Sequence, residues 1–197
     1  MYTFSKVEWW HITNNSQFSI ESNKKLRIKY CRMIINKDNL VFRRATLGDI
    51  PELIKLKLAL LDELNPNEDK TKLDTLKKEL EKFFEDNIGT TEFISWLVEY
   101  DGEIIATSGL ILWRVPPRYD CLHGKYGYIS NMYTVPKARR NGISTELIKR
   151  LIEEAKILGL DILNLHATKD GIKTYRRFGF TDPIDPEIEL NLDNYWF

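Results

Sequence analysis

Apolar residues alternate with polar ones over LVFRRAT (40–46), then change to a helical period with Ile50, Leu53, Ile54, Leu56, Leu58, Leu61 and Leu64. The first stretch, rich in β-formers, predicts a strand, and the second predicts a helix ending near residue 64. Asp49 followed three residues later by Glu52 predicts a capping box, with Pro51 tolerated in the first turn. NPNEDK (65–70) breaks this helix, and TKLDTLKKELEKFFEDN (71–87) predicts a second, with Leu73, Leu76, Leu80 and Phe84 at helical spacing. FISWLVEY and EIIATSGLILW flank Asp101-Gly102, a strong signal for a hairpin.

A loop, RVPPRYDCLHGK (114–125), leads to the predicted strand YGYISNMYTV (126–135), which stops at Pro136. GISTELIKRLIEEAKIL (142–158) carries Ile143, Leu147, Leu151 and Leu158 on one stripe, with Gly159 as C-cap, so it predicts a helix. DILNLHAT (161–168) reads as a strand, residues 171–178 as a short helix, and the tail FTDPIDPEIELNL as one or two closing strands. The order β-α-α-β-β-β-α-β-α-β implies an α/β fold: a mixed sheet with helices on its faces, its β–α–β unit at 126–168 holding two strands parallel.

Composition changes this picture little. The 197 residues suffice for one domain and a short appendage. The formal charge is zero, but residues 1–32 carry Lys6, Lys24, Lys25, Arg27, Lys29 and Arg32 against Glu8 and Glu21. A zero balance argues against nucleic acid as a partner, since that binding neutralises phosphate over a broad basic face. No apolar run approaches the ~20 residues of a membrane span, and MYTFSKVEWWHITNNSQ lacks the apolar core of a signal peptide. The expectation is a cytoplasmic protein with no membrane partner. Cys31 and Cys121 stand far apart without a CxxC or a histidine at ligand spacing, so they read as reduced thiols and no metal is expected.

The chemistry concentrates in VPKARRNGIST (135–145). Lys137, Arg139 and Arg140 sit at a helix start, where the unpaired N–H groups already carry about half a positive charge. Basic side chains there oppose the helix dipole unless an anion is bound, and Gly142 removes the side chain where a ligand would approach the backbone. The arrangement suits a pyrophosphate. The sequence contains neither GxxxxGK[ST] nor GxGxxG, which disfavours a P-loop or a dinucleotide site.

What stands there is Arg139-x-x-Gly142-x-Ser144 between a strand and a helix, and it resembles the RxxGxG/A acetyl-CoA loop of the GNAT acyltransferase superfamily. Upstream, YISNMYTV resembles that family's fourth strand. Downstream, ATKDGIKTYRRFGF resembles its segment ending in tyrosine, three residues and Gly-Phe. The resemblance covers about residues 40 to 192. Ser144 replaces the usual Gly or Ala, and Thr168 and Gly171 replace the frequent Asn and Ala.

The resemblance implies an N-acetyltransferase that uses acetyl-CoA as co-substrate, lodged in a gap where the strand ending at Val135 and the strand 161–168 splay apart. Backbone groups of Met132, Tyr133, Thr134 and Val135 would bind the thioester and pantetheine. Amides of Arg140, Asn141, Gly142, Ile143, Ser144 and Thr145 would hold the pyrophosphate, assisted by the Arg139 and Arg140 guanidinium groups. Thr168 would meet a pantetheine amide. Tyr175 falls at the family's acid position and would protonate the departing sulfur. The acceptor would be a primary amine of a small molecule or peptide.

No base is assigned. The strand 126–135 has Ser130 and Asn131 but no carboxylate, and Asn131, His123 and His166 are candidates alongside ordinary structural roles. The junction LLDELNPNED presents Asp62, Glu63, Glu68 and Asp69, a rim that would favour a cationic amine or else a solvated acidic loop. Trp96, Trp113, Tyr119 and Tyr126 are candidates for an apolar acceptor pocket, with core packing the alternative.

Residues 1–32 read as an extension ahead of the GNAT-like domain at 33–197, with Met33 a candidate initiator. The rival reading is a packing arm or a homodimer contact, because Phe4, Trp9, Trp10, Phe18 and Ile20 are too apolar to rest in water. A non-catalytic acyl-CoA sensor is the alternative to an enzyme.

Overall fold

A computed structural model describes residues 33–67, 69–183, 188, 190 and 192. The expectations for the extension 1–32 and for the closing strands lie mainly outside these residues. Five strands form one sheet in the order β1-β2-β3-β4-β5: β1 (Val41–Arg44), β2 (Phe93–Tyr100), β3 (Glu103–Arg114), β4 (Lys125–Thr134) and β5 (Ile162–Asn164). The first four strands form three antiparallel pairs, and β4 pairs β5 in parallel. The helices are α1 (Ile50–Leu64), α2 (Leu73–Asn87), α3 (Ile143–Ile157) and α4 (Ile172–Arg177). Asp101 (φ 51°) and Gly102 (φ 78°) both turn through positive φ, as the tight β2–β3 hairpin requires.

The alternation of β2 assigns the helices to opposite faces. Phe93 and Leu97 pack with Ile50, Leu53 and Phe84 of α1 and α2. Ile94 and Val98 contribute to the clusters that hold Ile143, Leu147 and Leu151 of α3. The amphipathic stripe read in α3 is thus its buried face. Near β1, Arg150 of α3 lies over the rings of Phe42 (4.7 Å) and Trp96 (4.9 Å), and Arg44 pairs with the buried Glu154.

Two expectations need correction. The Asp49–Glu52 capping box does not form. Asp49 instead accepts from the Thr46 backbone N–H and from the Arg43 guanidinium, each at 2.8 Å, which holds its carboxyl far below the usual range, and Glu52 pairs with Lys55. The strand expected over 161–168 extends only over Ile162–Asn164, because β4 offers it partners at Tyr126, Gly127 and Tyr128 alone.

The corner where α3 returns to β5 is fastened by Asp161. It accepts from the backbone N–H groups of His123 (3.0 Å) and Lys125 (3.2 Å), while His123 Nδ1 lies 2.8 Å from its other oxygen. These bonds, His123 first, hold the Asp161 carboxyl down at about 2.

Two measurements check these packing and charge assignments. Leu147 is fully buried, so Leu147→Ala should cost ~2–5 kcal/mol, read as a lower urea midpoint with an unchanged slope. A depressed carboxyl stabilises the fold above its unfolded pKa of ~3.9 and loses that contribution as pH falls through the folded value of about 2. Asp161→Asn should therefore lower the melting temperature at neutral pH, and the gap to wild type should close as the solution is acidified across that window. A gap independent of pH would refute the assignment.

Candidate functional site

The site begins where β4 and β5 part. Their last paired residues are Tyr128 and Asn164, whereas β4 runs on to Thr134. Over its final residues β4 is therefore paired only on its β3 side.

A bulge inside this free stretch sets which side chains face which layer. Gly109 pairs Ser130 and Thr107 pairs Tyr133, so Asn131 and Met132 together oppose Ser108, and Asn131 takes a φ of 52°. Before the bulge, Ser130 faces α1 and α2, since a Cβ on Gly109 would meet Ser130 Oγ at 2.8 Å and the Phe93 ring at 2.9 Å. Tyr128, two residues earlier, shares that face. After the bulge Tyr133 returns to it and donates to Glu63 of α1 at 2.8 Å. Tyr128, Ser130 and Tyr133 thus present three side chains to one layer although their numbers differ in parity. Ser130 Oγ is buried there with no protein partner.

β4 leads through a short turn (Pro136–Ala138) to α3. Arg140 (φ 63°) and Gly142 (φ 84°) are both left-handed, and no atom lies within 4 Å of where a Gly142 Cβ would stand. The α3 ladder starts with Glu146 N–H to the Gly142 carbonyl at 3.1 Å, which leaves the amides of Gly142, Ile143, Ser144 and Thr145 outside it. On the β1 side of this turn a cleft of about 370 Å³ opens between Lys37, Phe42, Asn141, Thr145 and Lys149. The chain at Met33 packs against the same turn, donating its N–H to the Lys137 carbonyl at 2.8 Å.

Arg139 and Arg140, the guanidinium groups expected at phosphate, follow this turn. Arg139 lies over Tyr133 at 5.4 Å, donates to the Thr134 carbonyl, and grips both oxygens of Glu63 at 2.8 and 2.6 Å. Arg140 is exposed. The acidic rim is largely committed as well: Asp62 pairs with Lys70, Glu63 with Arg139, and Asp69 caps the following turn at Thr71. Lys70 and Arg139 thus offset the charge of Asp62 and Glu63, so the rim offers less free negative charge than its composition suggests.

On the far side of the gap, α4 presents Tyr175, half-buried against Phe180 with ring centroids 5.8 Å apart. Burial first and the neighbouring Tyr128 second push its phenol up to about 12, so it is a neutral proton donor at physiological pH. Gly171 fits closely beside it, where a Cβ would come within 3.1 Å of Thr168 Oγ1 and 3.4 Å of the Tyr175 ring. Thr168 Oγ1 accepts the Gly171 N–H at 3.1 Å, leaving its own hydroxyl proton available to a ligand.

The base candidates separate. His123 is fastened to Asp161 at the distal corner, and Asn131 makes the bulge. His166, by contrast, meets Tyr128 where the two strands part, at the floor of the gap, Nδ1 to Oη 2.7 Å. Tyr128 was missed as a site residue in the sequence, where it looks like any strand aromatic, and Glu63 was read there only as part of the acidic rim. Of the aromatic candidates, Trp96 lies on the α3 face, away from this site. Among the described residues no group of His, Cys, Asp and Glu gathers as a metal site would require, and no helix is long and apolar enough to cross a membrane.

Residues 58–180 match the acetyltransferase (GNAT) family. The chain belongs to that family. A predicted acetyltransferase of Clostridium acetobutylicum, crystallised with acetyl-CoA, is similar at 36% identity over 79% of this chain and 98% of that one, with a TM-score of 0.69. The GCN5-related N-acetyltransferase of Ralstonia eutropha JMP134 shares the fold at 24% identity, 77% and 98% coverage and a TM-score of 0.68. The glucosamine-6-phosphate N-acetyltransferase of Arabidopsis thaliana shares it at 18%, 78% and 99% coverage and a TM-score of 0.60. Comparison with curated proteins gives no match. The mixed five-stranded sheet of this chain is thus a GNAT sheet.

The left-handed Gly142 of the GNAT turn gives a direct test. With open space around it, Gly142→Ala should meet no clash and cost only the ~1–2 kcal/mol of left-handed backbone, measured by denaturation.

Proposed function

We propose that this GNAT chain is an N-acetyltransferase that carries an acetyl group from acetyl-CoA to a primary amine of a small molecule or peptide, by direct attack in a ternary complex. The observation that carries the reading is the free edge of β4 running from Tyr128 into a helix start whose Gly142 leaves its surroundings open. Likeness to a protein crystallised with acetyl-CoA supports the co-substrate.

The fit of a pantetheine chain and a diphosphate follows from donors and acceptors. An extended amide-bearing arm can pair with backbone of Met132, Tyr133, Thr134 and Val135 as a missing strand would, and Thr168 can donate from the other wall. The α3 amides and Arg140 suit a diphosphate by charge and by N–H direction. Arg139 would act mainly as a strut that holds the turn to α1 through Glu63, and could serve phosphate by exchanging that partner.

Acetyl-CoA supplies an activated carbonyl, and the protein supplies position and protons. Tyr175 holds a proton through the neutral range and donates it where the sulfur departs. An amine acceptor becomes nucleophilic only once its ammonium proton, near pKa ~10, is lost, so the site must carry one proton away from nitrogen.

Calorimetry with acetyl-CoA should give saturable heat, and release of thiol from acetyl-CoA across a panel of primary amines should identify an acceptor. Tyr175→Phe should lower kcat ~10²-fold or more with acetyl-CoA affinity nearly unchanged. Equal turnover in that variant would remove the acid role. Tight binding of acetyl-CoA without turnover of any amine would favour a non-catalytic acyl-CoA sensor.

A further inference from the structure

The geometry points to Tyr128 and His166 as the proton exit of this site: Tyr128 Oη takes the acceptor's proton while passing its own to His166 Nδ1. This rests on the acetyltransferase reading and fills the place left by the missing carboxylate.

Three observations meet at the pair. First, Tyr128 is the last residue of β4 paired with β5, so its side chain stands at the floor of the opening. It lies on the α1–α2 face shared with Ser130 and Tyr133, and the α1–α2 junction is the wall left for an acceptor when the free edge of β4 is given to the co-substrate. Second, His166 follows the last paired residue of β5 by two and returns its ring to Tyr128, with Nδ1 2.7 Å from Oη and ring centroids 5.6 Å apart. With the imidazole proton on Nε2, Nδ1 accepts the phenol proton. Third, Tyr128 lies near enough to Tyr175 to influence its ionisation. The acid assigned to sulfur and the phenol assigned to nitrogen thus border the same gap.

Proton transfers then balance. The ammonium gives one proton to Tyr128 Oη as the phenol proton moves to His166 Nδ1, and the exposed imidazole returns it to water. The freed nitrogen lone pair forms the C–N bond, the C–S bond breaks with its electron pair on sulfur, and sulfur takes the Tyr175 proton. The second nitrogen proton replaces the one Tyr175 gave. Histidine suits the outer position because its two ring nitrogens let it take a proton at Nδ1 and release one from Nε2. Tyr128 is the catalytic group of the pair; His166 acts through it.

The test uses the whole chain, acetyl-CoA and the panel of primary amines. Tyr128→Phe keeps the ring and removes the hydroxyl; His166→Ala removes the acceptor. Each should lower kcat ~10²-fold while the acetyl-CoA KM stays within about twofold. The double variant should be no slower than either single one, since members of one relay are non-additive. Added imidazole should restore turnover in His166→Ala but not in Tyr128→Phe. Melting temperatures near wild type identify the losses as catalytic, and His166→Gln serves in the first two arms if His166→Ala unfolds. Wild-type kcat in any of these variants, multiplicative losses, or a change confined to KM would overturn the relay. Loss in Tyr175→Phe with normal rates in Tyr128→Phe would overturn the relay alone. A wild-type protein that releases no thiol with any amine would overturn both readings.

Discussion

Strand pairing stops between β4 and β5 after Tyr128 and Asn164, and the candidate site is a consequence of that stop. Side-chain crowding draws the strands together at the closed end, where Gly127 lets the chains meet. A Cβ there would come within 2.7 Å of Leu160 and Leu163 and 2.9 Å of Leu110. Beyond that point the ladder ends, although Ile129 and Met132 still share an apolar cluster with Leu165 and Phe180. Buried backbone polar groups are expensive to leave unpaired, so an open edge inside a sheet persists only where water or a ligand can satisfy it.

The bulge at Asn131 divides the work along β4. A regular strand would carry Ser130, Met132 and Thr134 on one face. The extra residue moves Tyr133 onto that face instead and turns Met132 toward the α3 core. Glu63 then reaches both Tyr133 and Arg139, so one carboxylate joins α1, the end of β4 and the turn into α3. Burial and this carboxylate push the Tyr133 phenol up to about 12, which keeps it a neutral donor within the network. The β4 wall of the gap is thereby tied to α1 and to the turn into α3.

Features fixed by local backbone demands were legible in the sequence. Gly142 stands where a left-handed residue is needed, Asp101-Gly102 marks a turn, and the helix stripes report their own buried faces. Features that depend on distant partners were not. DILNLHAT alternates well past Asn164, but a strand exists only while its neighbour runs beside it. Asp49 looks like the cap of α1 until Arg43 is seen to claim it. The acidic rim shows its charges in the sequence, whereas its cations come from Lys70 and from Arg139, the latter far along the chain. Tyr128 gained meaning only when the fold brought His166 beside it.

The corner at Asp161 also encloses Cys121, whose buried thiol lies 3.4 Å from the carboxylate. Burial and that adjacent negative charge push the thiol up, away from the reactive thiolate. Alkylating reagents then meet this sulfur only when the loop before β4 lifts off, so the rate of its modification reports how often that end of the sheet breathes.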